Sequence, residues 1–333
     1  MPGVPARLHG LVLGSAAGGG YPQWNCRCAV CALAWAGDPR VARRSQSSLA
    51  VSADGDRWAL LNASPDLRQQ ILDQPALQPA ASPAEALRAS PAEALRASPI
   101  AAVVPTNGDV DHVAGLVTLR ERQPFDLVAT DEIHAIIEDN PLFGILAEDV
   151  VARRALVLDE PLEILPGLVV TGFPVPGKVP LYLEGETVDL GLVGGQTIGL
   201  EVVAGGARLV YVPGVASVTA ALKARLAGAD VLLLDGTVFA DDEMIRAGVG
   251  AKTGRRMGHV PIGGPDGSLA ALADVDVGRR IYIHINNTNP ILVAGSPERR
   301  AVEAAGWEVA FDGLVIGAAA EHGAGRTALG ETA

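Results

Sequence analysis

Residues 100–112 read Ile100-Ala-Ala-Val-Val-Pro-Thr106-Asn107-Gly-Asp109-Val-Asp111-His112, an apolar run followed at once by ligand-type side chains. Ile100–Val104 has the composition of a buried strand, and Pro105 closes it. Asn107, Asp109, Asp111 and His112 then offer four oxygen or nitrogen donors at the strand's C-terminal end, where layered α/β folds place their sites. Alternation would turn 107, 109 and 111 to one side, with His112 turning in. Taken alone, the segment reads equally well as an Asn/Gly/Asp turn with a capping aspartate.

Working outward, strand-like runs recur at Leu8–Ser15, Ser48–Ser52, Trp58–Asn62, Leu127–Thr130, Leu168–Phe173, Ile198–Val203, Arg208–Val212, Val231–Asp235, Arg280–Ile285 and Trp307–Phe311. Helical patterning marks Ser217–Ala227, Ser268–Leu272 and Pro297–Ala305. Many strands and fewer helices predict sheet layers covered by helices, an α/β or α+β sandwich. One domain over 1–333 is expected. The octapeptide SPAEALRA at Ser82–Ala89 is repeated letter for letter at Ser90–Ala97, a duplication placed in a surface connection. The small, polar stretch Gly323–Ala333 is expected to fray.

Composition narrows the function. The 333 residues carry 38 acidic and 26 basic side chains, a net charge of -12, with 49% hydrophobic and 19% charged residues. That is too apolar for disorder and too acidic for wide contact with nucleic acid or an anionic membrane. No apolar stretch approaches the ~18–20 residues of a membrane span, and Leu11–Leu13 is too short for a signal-peptide core. The expected location is the cytoplasm, where thiols stay reduced.

The three cysteines form one motif, Cys26-Arg-Cys28-Ala-Val-Cys31, after the glycines Gly18–Gly20. Three thiolates on one turn, with a fourth position left for a distant ligand, point to structural Zn²⁺ pinning a loop near 18–36 that has little regular structure. Three unrelated buried thiols, or a redox switch, explain the clustering less well. Of six histidines, His112, His259 and His284 each end a strand-like or glycine-flanked segment. His9 and His322 lie near the ends, and His134 sits in a helix-like stretch. Lys252 and Arg255, shortly before His259, suit either an anionic ligand or a solvated turn. Gly14–Gly20 lacks a Walker lysine and does not match G-x-G-x-x-G, so no nucleotide site is read there.

Seven segments together resemble the family of coenzyme PQQ synthesis protein B: Gly14-Ser-Ala-Ala-Gly-Gly-Gly-Tyr-Pro-Gln-Trp-Asn-Cys26, Arg44-Ser-Gln-Ser-Ser48, Asn62-Ala-Ser-Pro-Asp66, Asp235-Gly-Thr237, Thr253-Gly-Arg255, Met257-Gly-His259 and His284-Ile-Asn-Asn-Thr-Asn-Pro290. The resemblance runs from about Leu11 to about Gly317 and implies the αββα sandwich of the metallo-β-lactamase superfamily. Hydrolytic members carry His-x-His-x-Asp-His where this chain has Asn107-Gly-Asp109-Val-Asp111-His112, so two histidine ligands are missing. The superfamily's bridging aspartate is also missing from Tyr211-Val-Pro-Gly214. A dinuclear hydrolase needs two metals about 3.5–4 Å apart. The depleted motif implies instead one Fe²⁺ on Asp111, His112 and His284, the carboxylate-plus-two-imidazole set of non-haem oxygenases. Asp109, His259 and Asn107 would orient ligands or bind substrate, with Arg255 close by. The implied reaction is O₂-dependent hydroxylation of the tyrosine ring in the glutamate–tyrosine precursor of PQQ. A soluble carrier of PQQ or its precursor, and a metal-dependent hydrolase, are the competing readings. The thiol cluster resembles the extra zinc site of phosphodiesterase-like members, with Asn287 where relatives carry a histidine. Expected partners are the small-molecule or dipeptide precursor, other proteins of the pathway and a second copy of the chain.

Overall fold

The strands sort into two seven-stranded sheets of the same plan. In the first, β1 is His9–Gly14, β2 Ser48–Ser52, β3 Trp58–Leu61, β4 Ile100–Val104, β5 Phe125–Ala129 and β6 Val151–Ala155. In the second, β7 is Pro161–Leu165, β8 Leu168–Pro174, β9 Ile198–Ala204, β10 Ala207–Val212, β11 Ala229–Asp235, β12 Val277–Ile283 and β13 Trp307–Val309. The last strand, β14 at Val315–Gly317, returns to the first sheet. The orders are β14-β1-β2-β3-β4-β5-β6 and β13-β12-β11-β10-β9-β8-β7. Antiparallel pairing joins β14 through β3 and β7 through β10, and parallel pairing joins β3 through β6 and β10 through β13. This computed structural model describes residues 6–79, 97–185, 189 and 191–317. The duplicated octapeptide, apart from its last residue Ala97, and the stretch 323–333 lie outside the described residues.

Side-chain alternation makes the second sheet two-faced. Leu209, Tyr211, Leu233, Ile281 and Ile283 belong to the same buried cluster as Leu60, Val103 and Leu127, which share one face of the first sheet. Their neighbours Val210, Val212, Leu232, Leu234 and Tyr282 face outward and are covered by Leu222, Leu226, Val302 and Trp307. Buried on both faces, such strands read as continuous apolar runs. The covering helices start on side-chain caps: Thr219 accepts from Leu222 N at the helix Ala220–Leu226, and Ser296 accepts from Arg299 N at Pro297–Ala304. Helices on the outer faces complete the αββα sandwich. Among the described residues, no helix is long and apolar enough to cross a membrane.

The observed strands include every run expected from sequence, with ends shifted by a few residues. Three strands were not expected: β6, β7 and β14. β6 carries two arginines and β7 opens with exposed Pro161, so edge strands lack the apolar signature of central ones. The region near 18–36 has more regular structure than expected, since Ala29–Trp35 is a helix that carries Cys31. Cys28 caps it, its sulfur accepting from Cys31 N at 3.4 Å, a capping role not read from the sequence.

Candidate metal centre

Chain ends from both sheets meet at one rim of the sandwich. After β4 the chain passes Thr106 and Asn107 into the short helix Val110–Val113, whose first turn carries Asp111 and His112. After β12 it turns at His284, whose φ of 59° lies in the left-handed region that non-glycine residues seldom adopt. His284 Nε2 lies 3.0 Å from Asp111 Oδ2, and His112 Nε2 lies 3.8 Å from the same oxygen. The rings of His112 and His284 meet edge to face at 5.3 Å. One donor atom from each of Asp111, His112 and His284 lies within 4.8 Å of the others.

Hydrogen bonds fix which imidazole nitrogen faces this point. Thr106 Oγ1 has one proton and donates it to Asn62 Oδ1 at 3.1 Å, so it accepts from His112 Nδ1 at 3.1 Å. Thr237 Oγ1 donates to Asp235 Oδ1 at 2.7 Å and accepts from His284 Nδ1 at 2.9 Å. Both histidines are thus held at Nδ1 by a threonine hydroxyl and turn Nε2 toward Asp111. That is the arrangement by which outer hydrogen bonds prepare histidine metal ligands. Asn62, also left-handed at φ 65°, donates to Tyr211 Oη, which crosses from the second sheet.

A second group, Asp235, His259 and His284, also lies within 4.8 Å, yet its chemistry differs. Asp235 is fully buried and accepts four hydrogen bonds, from Val215 N, His259 Nδ1, Thr237 N and Thr237 Oγ1, at 2.7–3.0 Å. A carboxylate offers about four lone-pair sites, so Asp235 has none left for a metal. The pair has the form of a carboxylate–imidazole relay, with Asp235 orienting the His259 ring through Nδ1. In the segment Tyr211–Gly214, where the resemblance leaves the bridging aspartate missing, a Cβ on Gly214 would stand 3.6 Å from His259 Cε1. The position faces the centre and presents no ligand.

Electrostatics agree. Burial opposes ionisation of Asp111, but the neighbouring imidazoles of His112 and His284 outweigh it and hold its pKa below the usual carboxylate range. Burial pushes His112 down to about 4, keeping it neutral and able to ligate. Burial also opposes charge on His284, yet its hydrogen bond to Asp111 and the carboxylates nearby raise its pKa. A cation at this point would take the place of the proton that the His284–Asp111 contact otherwise needs. Asp109 is raised by burial and by Asp111, and its Oδ1 accepts from Leu181 N at 3.1 Å. Asn107 accepts from Asp109 N at 2.9 Å, so it shapes the loop. Gly18 of the glycine-rich loop closes the rim: a Cβ there would lie 3.4 Å from Asp111 Oδ2.

The thiols form a separate, closed centre. Cys26, Cys28 and Cys31 are free and buried, and the Asn287 side-chain amide lies 3.2 Å from Cys26 Sγ, 3.2 Å from Cys31 Sγ and 3.9 Å from Cys28 Sγ. Burial pushes the Cys28 thiol up to about 12. Three soft donors suit tetrahedral Zn²⁺, and Asn287 stands at the fourth position with its side-chain amide and, at 3.8–3.9 Å from Cys28 and Cys31 Sγ, its backbone oxygen. Residues 284 and 287 share one buried loop, so the two centres are joined by three residues of chain. Behind the loop, Thr288 Oγ1 donates to Glu243 Oε1 at 2.6 Å.

The structure thus brings Asp111, His112, His284, Asp109, Asn107 and His259 to one rim, and Asn287 to the thiols. Arg255 is directed elsewhere: its backbone N and guanidinium bond Asp241 and Asp266. Its neighbour Arg256 reaches toward the rim instead. His134 bonds Arg154 O on the far side of the first sheet. Residues passed over in the sequence are Thr106, Thr237 and Asp235. Asp235 had a signal, a carboxylate ending the apolar run Val231–Leu234. The threonines had none, because hydroxyls beside histidines become partners only through tertiary geometry.

Comparison with known proteins follows this geometry. Residues 57–285 match the β-lactamase superfamily domain. The chain is 60% identical over 309 residues to coenzyme PQQ synthesis protein B of Methylorubrum populi, covering 93% of this chain and 99% of that one. It is 54% identical over 306 residues to the protein of the same name from Ruegeria pomeroyi, covering 92% and 98%. A crystal structure of Zn²⁺-bound PqqB from Methylobacterium extorquens superposes with a TM-score of 0.88 at 58% identity, over 92% of this chain and 99% of that one.

Proposed function

The chain belongs to the coenzyme PQQ synthesis protein B family of the β-lactamase superfamily, and from that premise we propose that it acts in pyrroloquinoline quinone biosynthesis as an iron-dependent hydroxylase of the tyrosine ring of the glutamate–tyrosine precursor. The observation that carries this reading is the convergence of Asp111, His112 and His284 on one point, with both imidazoles preset by threonine hydroxyls. One carboxylate and two imidazoles leave coordination positions open. The donor set fits Fe²⁺, and those three residues would hold it. A bound iron supplies one-electron chemistry toward O₂ at the open positions.

The chain's own residues supply the rest. His259 Nε2, backed by Asp235, is placed to take or return a proton at a phenol hydroxyl near His284, since the two rings stack at 5.3 Å. Thr237 holds both imidazoles through one hydroxyl, so relay and ligand move together. Zn²⁺ belongs on Cys26, Cys28 and Cys31, a reading supported by the zinc in the Methylobacterium extorquens relative. A hydrolase reading is disfavoured by the saturated Asp235 and the bare Gly214.

The test is turnover. Protein reconstituted anaerobically with Fe²⁺ and then given ¹⁸O₂, a glutamyl-tyrosine peptide and ascorbate as two-electron donor should yield a ring-hydroxylated product with one heavy oxygen, the other oxygen atom leaving as water. Product without label, or no product from metal-replete protein, would contradict the assignment and favour a carrier.

A further inference from the structure

Beside the histidine centre, three cations converge on one carboxylate. Lys178 Nζ lies 3.0 Å from Glu184 Oε1, Arg256 Nη2 lies 3.1 Å from Glu184 Oε2, and Lys252 Nζ lies 3.9 Å from that same oxygen. Lys178 follows β8, while Lys252 and Arg256 sit on the loop that leads into His259. The cluster carries three positive charges against one negative, in a chain whose net charge is -12. An acidic small molecule repelled by the molecule as a whole meets a local attraction here.

The donors outnumber the acceptor's capacity. An arginine and two lysines bring eleven N–H groups, and one carboxylate offers about four lone-pair sites. Among the described residues, Arg256 Nη1 is buried and has no hydrogen-bond partner, and neither has Glu184 Oε1, which meets Lys178 only as an ion pair. A second carboxylate would satisfy it, since a guanidinium fork matches a carboxylate in bidentate geometry.

The cluster adjoins the reacting groups. The Lys178 side chain passes over Gly258, where a Cβ would stand 3.2 Å from Lys178 Cγ, and His259 is the next residue. Glu184 ends the short turn Leu181–Leu183, which is tied onto the ligand loop: Tyr182 Oη donates to Gly108 O at 2.7 Å, and Leu181 N donates to Asp109 Oδ1. Leu181, Tyr182 and Val110 leave about half of their surface exposed along this edge. A cationic pole beside an apolar and aromatic rim suits a small ligand with a carboxylate at one end and a ring at the other.

We propose that Lys178, Lys252 and Arg256 form a carboxylate-recognition subsite at the edge of the metal centre, held in the free protein by Glu184 and ceded to a carboxylate of the incoming ligand. The identity of that ligand as an acidic tyrosine-containing dipeptide rests on the functional reading above. Displacing Glu184 would loosen the turn that covers Asn107–Asp109, so the subsite couples ligand charge to opening of the rim.

Calorimetric titration under anaerobic conditions, on zinc-loaded and iron-free protein, tests the subsite without reference to turnover. Glutamyl-tyrosine, its carboxylate-free counterpart glutaminyl-tyrosine amide, and citrate are the probes. Wild type should bind the acidic dipeptide about tenfold or more tightly than the carboxylate-free one, and Lys252→Ala/Arg256→Ala should cut that preference to about twofold or less. Glu184→Gln removes the resident competitor, so acidic probes should bind more tightly to it, with an unfolding midpoint within a few degrees of wild type. This second variant keeps the test decisive if the double variant folds poorly. Citrate binding that the double variant loses, with no binding of either dipeptide, would keep the subsite and remove the substrate assignment. Acidic probes bound equally by wild type and double variant, or more weakly by Glu184→Gln, would overturn the subsite.

Discussion

The thiol centre and the imidazole–carboxylate centre are built in opposite ways. The thiols come from six consecutive residues, Cys26 to Cys31, and need one distant group, Asn287, to close. Asp111 and His284 are 173 positions apart, come from different sheets and leave one side of the site open. The first centre is local, buried and suited to holding a loop. The second exists only when the sandwich is formed and its threonines are in place. The loop from His284 to Asn289 belongs to both, so a change in the staple reaches the reactive rim.

Removing the staple should have the largest effect. Cys28→Ser is expected to lose zinc and lower the unfolding midpoint by ten degrees or more, since structural zinc contributes on the order of 10 kcal/mol in small domains and a share of that here. Metal analysis with a thermal melt checks it. An unchanged midpoint in zinc-free Cys28→Ser would remove the structural role and make the two centres independent.

The joint between the centres gives a pH test. Burial raises Glu243 from 4.5 to about 7, while its bonds to Thr288 and Phe239 only partly offset this. The folded state therefore binds the proton more tightly than the unfolded state does. The sign follows: stability is fullest below pH 4.5, falls as pH rises from about 4.5 to about 7, and is lower above that by about 3 kcal/mol. Glu243→Gln should lack this fall, so its stability relative to wild type should rise between about pH 5 and pH 8. Melts of the two proteins that stay parallel across that range would contradict the shift.

The smallest effects should come from the threonines, and they should be unequal. Thr106→Val and Thr237→Val should each weaken iron binding by about 10–100-fold, the usual cost of losing an outer hydrogen bond to a ligating histidine. Thr237→Val should fall at the larger end, because its hydroxyl also contacts Asp235 and His259. Anaerobic titration measures both constants. Affinities equal to wild type would mean that the histidines are oriented by packing alone.

The same contrast explains how much was legible in the sequence. The thiol centre was readable because its three donors are adjacent, and the central strands were readable because both of their faces are apolar. Asp111 and His112 stood in one motif, but their pairing with His284 rested on family resemblance; spacing alone left an ordinary turn equally open. The roles of Thr106, Thr237 and Asp235 came from hydroxyl and carboxylate hydrogen-bond accounting, which requires coordinates. Edge strands such as Val151–Ala155 and Pro161–Leu165 were missed because one flank is solvated and the pattern is mixed. Arg255 was singled out from the sequence; in the structure it bonds Asp241 and Asp266, and Arg256 is the residue that reaches Glu184, a difference of side-chain direction that no turn signal encodes.

The central claim is that Asp111, His112 and His284 hold a single iron. Anaerobic Fe²⁺ titration of zinc-loaded wild type and His284→Ala tests it most directly. Wild type should bind one iron per chain beside the zinc, and His284→Ala should lose stoichiometric binding with the zinc retained. Equal, tight and stoichiometric iron binding by both proteins would contradict it.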